Sequence, residues 1–126
     1  MFEKAPILPH RVRTTPKSFG FVDHRLVRDR HIEKCSHAAS TLYLFLVCVG
    51  DRQGLSYYGD KAVMKILGMD GETLRAARRS LLENGLVAFR DPLYQVLSLE
   101  PVRNRGNGQE MRLADILRLA GEVRHD

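Results

Sequence analysis

Residues 54–90, GLSYYGDKAVMKILGMDGETLRAARRSLLENGLVAFR, have the clearest structural pattern in this chain. Within it, apolar residues recur at helical spacing in a segment that begins at Gly59 or Asp60 and runs up to Gly68. Glycine tolerates the left-handed backbone that ends many helices. A second helical pattern covers 71–84, so the stretch predicts two consecutive helices joined by a short turn. In the first of them the predicted buried stripe is Ala62, Val63, Ile66 and Leu67, with Lys61 and Lys65 outside.

The second predicted helix has two different faces. Asp70 is placed to cap its first turn, because a carboxylate accepts hydrogen bonds from the unpaired backbone N–H groups there. The side chains expected to face inward are Leu74, Ala77, Leu81 and Leu82. Those expected to face outward are Glu72, Arg75, Ala76, Arg79 and Ser80. The pattern predicts a helix that buries one side and presents polar and cationic side chains on the other.

A third helix is predicted before this stretch. Ser36 is a favourable N-cap for a helix from Ala38 to about Val49. Apolar residues cover nearly its whole circumference, and Cys48 is expected to be a small buried residue among them. A helix of this kind usually lies at the centre of a core or at a subunit interface.

After the two consecutive helices, the β-prone runs 86–90 and 94–99 are separated by Asp91, Pro92 and Leu93, which is a hairpin pattern. The predicted fold is therefore mainly α-helical with a small β-hairpin. The predicted organisation is a basic, proline-containing arm over 1–18, a domain over 19–100, a linker over 101–109 and a C-terminal amphipathic helix over 110–126. The apolar face of that last helix carries Leu113, Ile116, Leu117 and Ala120.

The same stretch resembles the winged helix-turn-helix domains of bacterial transcription regulators and plasmid replication initiators. The resemblance lies in a strand-like start, an apolar helix ending in Leu67-Gly68, a capped following helix, and then Leu81-Leu82, Gly85 and Leu86-Val87. The region from Phe19 to Leu99 is also similar to small helix-turn-helix proteins encoded near bacterial mobile elements. The resemblance implies a winged helix-turn-helix domain over 19–100 and double-stranded DNA as its partner.

The geometry of the family implies which residues would contact DNA. Its recognition helix lies in the major groove, which implies base contacts from Thr73, Arg75, Ala76 and Arg79, with Glu72 as a further candidate. The resemblance implies phosphate contacts from Ser56, Tyr57, Tyr58, Lys61, Arg90 and Gln95. Arginine suits base contacts because its guanidinium can donate two hydrogen bonds to one guanine. The predicted wing is short and carries Asp91 at its tip, which argues against deep insertion into the minor groove.

Composition and charge narrow the class of function. Lys and Arg number 20 against 15 Asp and Glu, which gives a net charge of +5 and favours polyanionic partners. The two cysteines form no CxxC pair and the histidines are scattered, so neither a zinc site nor a disulfide framework is predicted. Catalytic and phosphate-loop motifs are absent from the sequence, so we expect no enzymatic activity and no cofactor. The longest apolar run, Leu42–Val49, is far shorter than the roughly 20 residues of a membrane span, and a cytoplasmic protein is expected.

The expected function is sequence-specific binding of double-stranded DNA by a homodimeric transcription regulator linked to a mobile element or plasmid. Two alternatives stay open, a replication initiator and a winged-helix adaptor that binds a protein partner in a replication or defence complex. Arg78 lies nearer the buried side of its helix and is expected either to extend its charged end to solvent or to pair with an acid, and not to contact DNA. Tyr57 and Tyr58 suit packing as well as they suit phosphate contacts. Asp23, Asp60 and Asp70 are interpreted as helix caps.

Overall fold

The structure is a computed structural model and describes residues 4–99, so the predicted linker 101–109 and helix 110–126 lie outside the described residues. Within 4–99 the chain forms four α-helices: α1 (Arg25–Arg28), α2 (His37–Val49), α3 (Asp60–Leu67) and α4 (Gly71–Glu83). It also forms three β-strands: β1 (Leu55–Tyr57), β2 (Val87–Arg90) and β3 (Leu93–Val96). Single turns of 3-10 helix occupy Pro9–Arg11 and His31–Lys34. Residues 4–18, which include the predicted arm apart from its first three residues, are all exposed.

The predicted hairpin is part of a larger sheet. Strands β2 and β3 pair antiparallel as expected, but β1 pairs with the other edge of β3, so the strand order is β1-β3-β2. The described fold is therefore a mixture of helices and a three-stranded antiparallel sheet, and not helices with an isolated hairpin. The predicted strand 94–99 ends instead at Val96, because β1 begins opposite Gln95 and β2 begins opposite Val96. Leu97 still donates a backbone hydrogen bond to Leu86 at 3.0 Å, but no strand between residues 4 and 99 pairs with 97–99.

Local capping fixes the helix ends that the sequence predicts. The Ser36 hydroxyl oxygen accepts a hydrogen bond from the N–H of Ala39 at 3.0 Å, and α2 begins directly after it. The Asp70 carboxylate accepts from the N–H of Thr73 at 2.7 Å, and α4 begins directly after it. Gly68 ends α3 with a φ of 66°, in the left-handed region that favours glycine. Both caps and the turn between the two helices are confirmed.

One hydrophobic core joins the helices to the sheet. Helix α2 packs on α4, and α4 packs on α3 and β2. The fully buried side chains in it include Leu42, Leu46, Val63, Leu74, Ala77, Leu81, Val87 and Tyr94. Burial of each such leucine contributes on the order of 1.5–3 kcal/mol. The predicted inward face of α4 is therefore anchored in the core.

Two predicted burial patterns are wrong. Helix α2 is covered on one side only within 4–99, so Cys48 is exposed and Leu44 is 57% exposed. In α3 the buried stripe consists of Val63 with the half-buried Met64 and Leu67, whereas Ala62 and Ile66 are exposed. The stripe of α3 is narrower than predicted because the packing partner of this helix is α4. Between residues 4 and 99, every helix is too short or too polar to cross a membrane.

Candidate nucleic-acid interface

The outward face of α4 is the centre of the candidate interface. The helix is 13 residues long and is held by its buried residues against α2 and α3. The four predicted base-contact residues, Thr73, Arg75, Ala76 and Arg79, are all exposed. The side of the helix opposite the fully buried Leu74, Ala77 and Leu81 carries Arg75, Ala76 and Arg79. Thr73 lies in the first turn, on the flank between these two sides. The fold therefore brings Arg75, Ala76 and Arg79 together on one solvent-facing surface, with Thr73 exposed at its margin.

The two arginines on this surface differ in their surroundings. Arg75 folds back along the first turn of α4, so that a Cβ added at Gly71 would lie 2.9 Å from its Nη1. Arg79 is one helical turn further on and forms no ion pair within residues 4–99. A cation that holds no ion pair costs little to bring against an anionic ligand, because no existing pair has to be broken. Arg79 is therefore the described cation of α4 that is best placed to receive such a ligand.

The start of α4 carries negative charge. Asp70 caps the helix, and Glu72 lies in its first turn. Hydrogen bonds from the backbone N–H and the hydroxyl of Thr73 lower the pKa of Asp70, and the nearby Arg75 lowers it further. The cap therefore stays ionised and repels phosphate at this end of the helix. The hydroxyl of Thr73 is also engaged by the cap, which limits its use as a base contact.

Arg78, the neighbour of Arg79, lies on the inner side of α4. Its Nη1 donates to Asp60 Oδ1 and to Tyr94 Oη, each at 2.8 Å, and its guanidinium carbon is 4.3 Å from the ring centroid of Phe89. Burial works to lower the pKa of Arg78, but the hydrogen bonds to Asp60 and Tyr94 outweigh it and raise the pKa. Arg78 thus ties α4 to α3 and to the sheet, and of the two expected roles the structure shows the pairing with an acid.

Two of the aspartates interpreted as helix caps, Asp60 and Asp23, are not N-caps in the structure. Asp60 is not a cap but the first residue of α3, after the N-cap Gly59, and its carboxylate is held by Arg78. Asp23 accepts a hydrogen bond from the N–H of Arg25 at 2.9 Å, although the N-cap of α1 is His24. The sequence places each aspartate at the start of a helix but does not reveal a partner 18 residues away.

Of the predicted phosphate contacts, Ser56 is contradicted. The side chain of Ser56 lies opposite Tyr94 on the core side of the sheet, where it is only 8% exposed. Its hydroxyl is buried and has no hydrogen-bond partner among residues 4–99. A phosphate cannot reach this hydroxyl in the described conformation. The alternation of β1 between inside and outside explains the error, because its exposed side chain is Tyr57.

The remaining predicted phosphate residues lie in two environments. Lys61, Arg90 and Tyr57 are exposed, and Tyr57 is 72% exposed. Tyr58 is half-buried and makes an edge-on contact with Phe45 at 5.0 Å between ring centroids, so its ring serves packing. Gln95 is half-buried on the central strand β3. Lys65 is also exposed, one helical turn after Lys61, and is a further candidate that the i, i+4 spacing of the two lysines could have indicated.

Other chemistry finds no support in the described part of the chain. Across residues 4–99, no three His, Cys, Asp or Glu side chains meet in a way that could hold a metal ion. The two cysteines are both free thiols, and burial raises the pKa of Cys35. Comparison of the chain with protein-family models, with curated proteins and with solved structures finds no match, so the candidate interface stands on its own geometry and charge.

Proposed function

We propose that residues 19–99 form a winged helix-turn-helix domain that binds double-stranded DNA, with α4 as the recognition helix and the β2–β3 hairpin as a short wing. The order of helices and strands from α2 to β3 and the sheet order β1-β3-β2 support the fold assignment. The observation that carries the function is α4 itself. Its inner side is locked into the core, and its outer side presents Arg75 and Arg79 to solvent.

The dimensions of α4 suit the major groove. Thirteen residues at a rise of about 1.5 Å each span roughly 20 Å, and the groove is wide enough to admit one α-helix. Arg79 is our primary candidate for reading a guanine, since it holds no ion pair within residues 4–99 that binding would have to break. Arg75 reaches the bases if it leaves its position over Gly71.

Charge indicates how α4 would approach the DNA. Because Asp70 and Glu72 repel phosphates from the first turn, we expect the middle of the helix to enter the groove most deeply. Phosphate contacts then come from the exposed lysines Lys61 and Lys65 of α3. Asp91 lies at the tip of the hairpin and disfavours insertion there, so the wing contributes through its flank, where Arg90 is exposed.

Binding to a random duplex pool across a salt series, followed by selection of the bound sequences, tests this proposal. We expect the logarithm of the affinity to fall with the logarithm of the salt concentration, by about 0.9 per phosphate contacted. Replacement Arg79→Met should reduce the affinity for a selected sequence by roughly 5-fold to 100-fold and relax the preference at one base pair. Replacement Lys61→Met should weaken all sequences alike and reduce the salt slope by about one.

Arg28→Met is the matched control for these variants. Arg28 is exposed on α1, outside the proposed interface, and loses the same charge. We expect its affinity and base preference to equal those of the wild-type chain. Absence of any salt-sensitive binding would refute DNA binding, and equal losses from Arg28→Met and Arg79→Met would refute the role of α4.

Within this function we propose a transcription regulator, of the kind encoded on mobile elements or plasmids, that binds a two-fold site as a homodimer. Replication initiation would use the same interface at a different site on the DNA. Selected sequences with two inverted half-sites would support the dimer, and a single unrepeated site would contradict it.

A protein adaptor is the second candidate, favoured by the exposed apolar Leu44 on α2. In this function α2 contacts a protein partner and α4 contacts no DNA. Co-purification with and without nuclease separates the two candidates. A partner that stays bound after nuclease treatment, in a chain that shows no salt-sensitive DNA binding, supports the adaptor.

A further inference from the structure

An apolar groove lies on the domain, apart from the proposed DNA-binding face of α4. It has a volume of about 740 Å³ and runs between residues 19–21, the second half of α2, the turn 50–54 and residues 96–99. The turn adds the polar side chains of Asp51, Arg52 and Gln53 to its lining. Phe19 and Phe21 stand at its edge and are 65% and 79% exposed. Gly20, between them, sits directly on α2, since an added Cβ would lie 2.6 Å from the carbonyl oxygen of Val47. The segment 19–21 is therefore seated on α2 with two aromatic rings turned out toward solvent.

The groove has an energetic reason to be covered. Apolar surface in water costs roughly 25 cal/mol per Å², and contiguous exposed apolar surface usually marks a contact. The exposed apolar surface at the groove comes from Phe19 and Phe21, because Leu46 and Leu99 in its lining are already buried. Two exposed phenylalanines beside buried apolar residues resemble one half of a helix-packing contact whose other half is not among residues 4–99.

The chain itself supplies a segment that fits. It leaves the described residues at Leu99, which is already part of the groove lining. A polar, glycine-containing linker follows, and then apolar residues recur at i, i+3, i+4 and i+7 over the predicted helix 111–123, as Leu113, Ile116, Leu117 and Ala120. An isolated helix of this length is marginal in water, so its apolar stripe needs a surface to pack against.

We propose that segment 110–126 of the same chain docks its apolar stripe into this groove, against Phe19 and Phe21. Ten residues, 100–109, separate Leu99 from this segment, and a flexible chain of that length has an average end-to-end distance of roughly 17 Å, which is short enough to keep the segment beside Leu99. Tethering at that range gives a local concentration in the millimolar range. Docking within one chain is therefore favoured over docking on a second copy.

Hydrogen exchange of the full-length chain tests the proposal from the side of the segment. Leu117→Asp places a charge on the apolar stripe, and Leu119→Asp makes the same change off the stripe in the same segment. We expect Leu117→Asp to speed exchange in 111–123 by roughly tenfold to a hundredfold and to shift the NMR signals of the Phe19 and Phe21 rings. Leu119→Asp should leave the exchange rates and the ring signals as in the wild-type chain. Equal effects of the two variants, or ring signals that do not change with Leu117→Asp, would overturn the proposal.

A second pair of variants tests the groove without disturbing the core. Phe21→Ala removes an exposed ring from the edge of the groove, and Val27→Ala removes an exposed apolar side chain that lies outside it. Faster exchange in 111–123 with Phe21→Ala but not with Val27→Ala supports the proposal, and the reverse order or equal rates would overturn it. Isotope-labelled Leu117→Asp chain mixed with excess wild-type chain identifies the source of the segment. The Phe19 and Phe21 ring signals of the labelled chain stay shifted if docking occurs within one chain, and their return to the wild-type positions would show a second copy as the occupant.

Discussion

Arg78 and Arg79 are adjacent in the sequence, and replacing each with methionine should have opposite consequences. Arg78 donates to Asp60 and Tyr94 and lies against the ring of Phe89, so it connects α4 with α3 and with the sheet. Arg79 is exposed and makes no ion pair within residues 4–99. We therefore expect Arg78→Met to lower the free energy of unfolding and Arg79→Met to leave it nearly unchanged.

The magnitude follows from the partners that Arg78 leaves behind. Tyr94 is fully buried, and its hydroxyl loses the Arg78 donor. A hydrogen bond to a charged group is worth about 1.5–3 kcal/mol, and the contact with Phe89 adds on the order of 1 kcal/mol. The side chain of Asp60 is 40% exposed, so water rehydrates it and the ion pair adds little. Because methionine keeps some of the apolar packing, we expect a loss of about 2–3 kcal/mol for Arg78→Met and less than about 0.5 kcal/mol for Arg79→Met.

Urea unfolding of the full-length variants, monitored by circular dichroism, measures the loss of unfolding free energy for each variant. Adding Tyr94→Phe completes a double-mutant cycle, in which we expect Arg78 and Tyr94 to couple by roughly 1 kcal/mol. The DNA assay should give the opposite ranking, with Arg79→Met losing affinity under conditions where Arg78→Met is still folded. Equal destabilisation by the two methionine variants, or no coupling between Arg78 and Tyr94, would refute the assignment of Arg78 as the structural arginine.

Three further predictions concern two left-handed glycines, the cap of α2 and the ionisation of Asp23. Gly68→Ala should lower the free energy of unfolding by about 1 kcal/mol, because its φ is left-handed but nothing lies within 4 Å of an added Cβ. Gly54→Ala should lower it more, since an added Cβ there would lie 2.6 Å from the carbonyl oxygen of Val96. Urea unfolding that ranks the two variants the other way would contradict this prediction. Ser36→Ala should cost about 1 kcal/mol by removing the cap of α2, and an unchanged thermal midpoint would show that the cap is dispensable. The hydrogen bond from the Arg25 side chain lowers the pKa of Asp23 from an ordinary 3.8 to about 2. The stabilising contribution of ionised Asp23 is therefore present above pH 3.8 and lost as the pH falls through 2. Titration of the Asp23 carboxyl by NMR should show a midpoint near 2, and a midpoint near 4 would contradict the prediction. Asp23→Asn should remove this part of the acid dependence of stability.

Helix caps, helix ends and helix faces could be predicted from the sequence because they depend on residues close along the chain. Ser36 and Asp70 cap helices because their oxygens reach N–H groups three residues ahead, and that geometry is local. Gly68 ends α3 for an equally local reason, its left-handed backbone. The two faces of α4 followed from helical periodicity alone, since Leu74 and Leu81 are buried as the period requires.

Features that depend on pairing between distant segments could not be predicted from such patterns. The pairing of β1 with β3 sets Ser56 opposite Tyr94 and turns its hydroxyl into the core, whereas three β-prone residues by themselves carry no information about their partner. Arg78 reaches Asp60 only because the turn at Gly68 brings α3 and α4 together. The exposure of the predicted phosphate-contact residues was therefore harder to predict from the sequence than the exposed face of α4.

Arg78 and Arg79 are adjacent in the sequence, and the contacts of Arg78 set the direction of Arg79. Successive residues on an α-helix are rotated by about 100°, so two adjacent arginines necessarily point in different directions. Because Arg78 is bound to α3 through Asp60 and to the sheet through Tyr94, the rotation of α4 about its own axis is fixed from two sides. Arg79 is then held outward at a fixed angle, although its own side chain makes no ion pair within residues 4–99. If α4 reads bases, loosening this anchor should blur the preference for one sequence over another before it abolishes non-specific binding, because phosphate attraction tolerates small rotations and paired hydrogen bonds to a base edge do not.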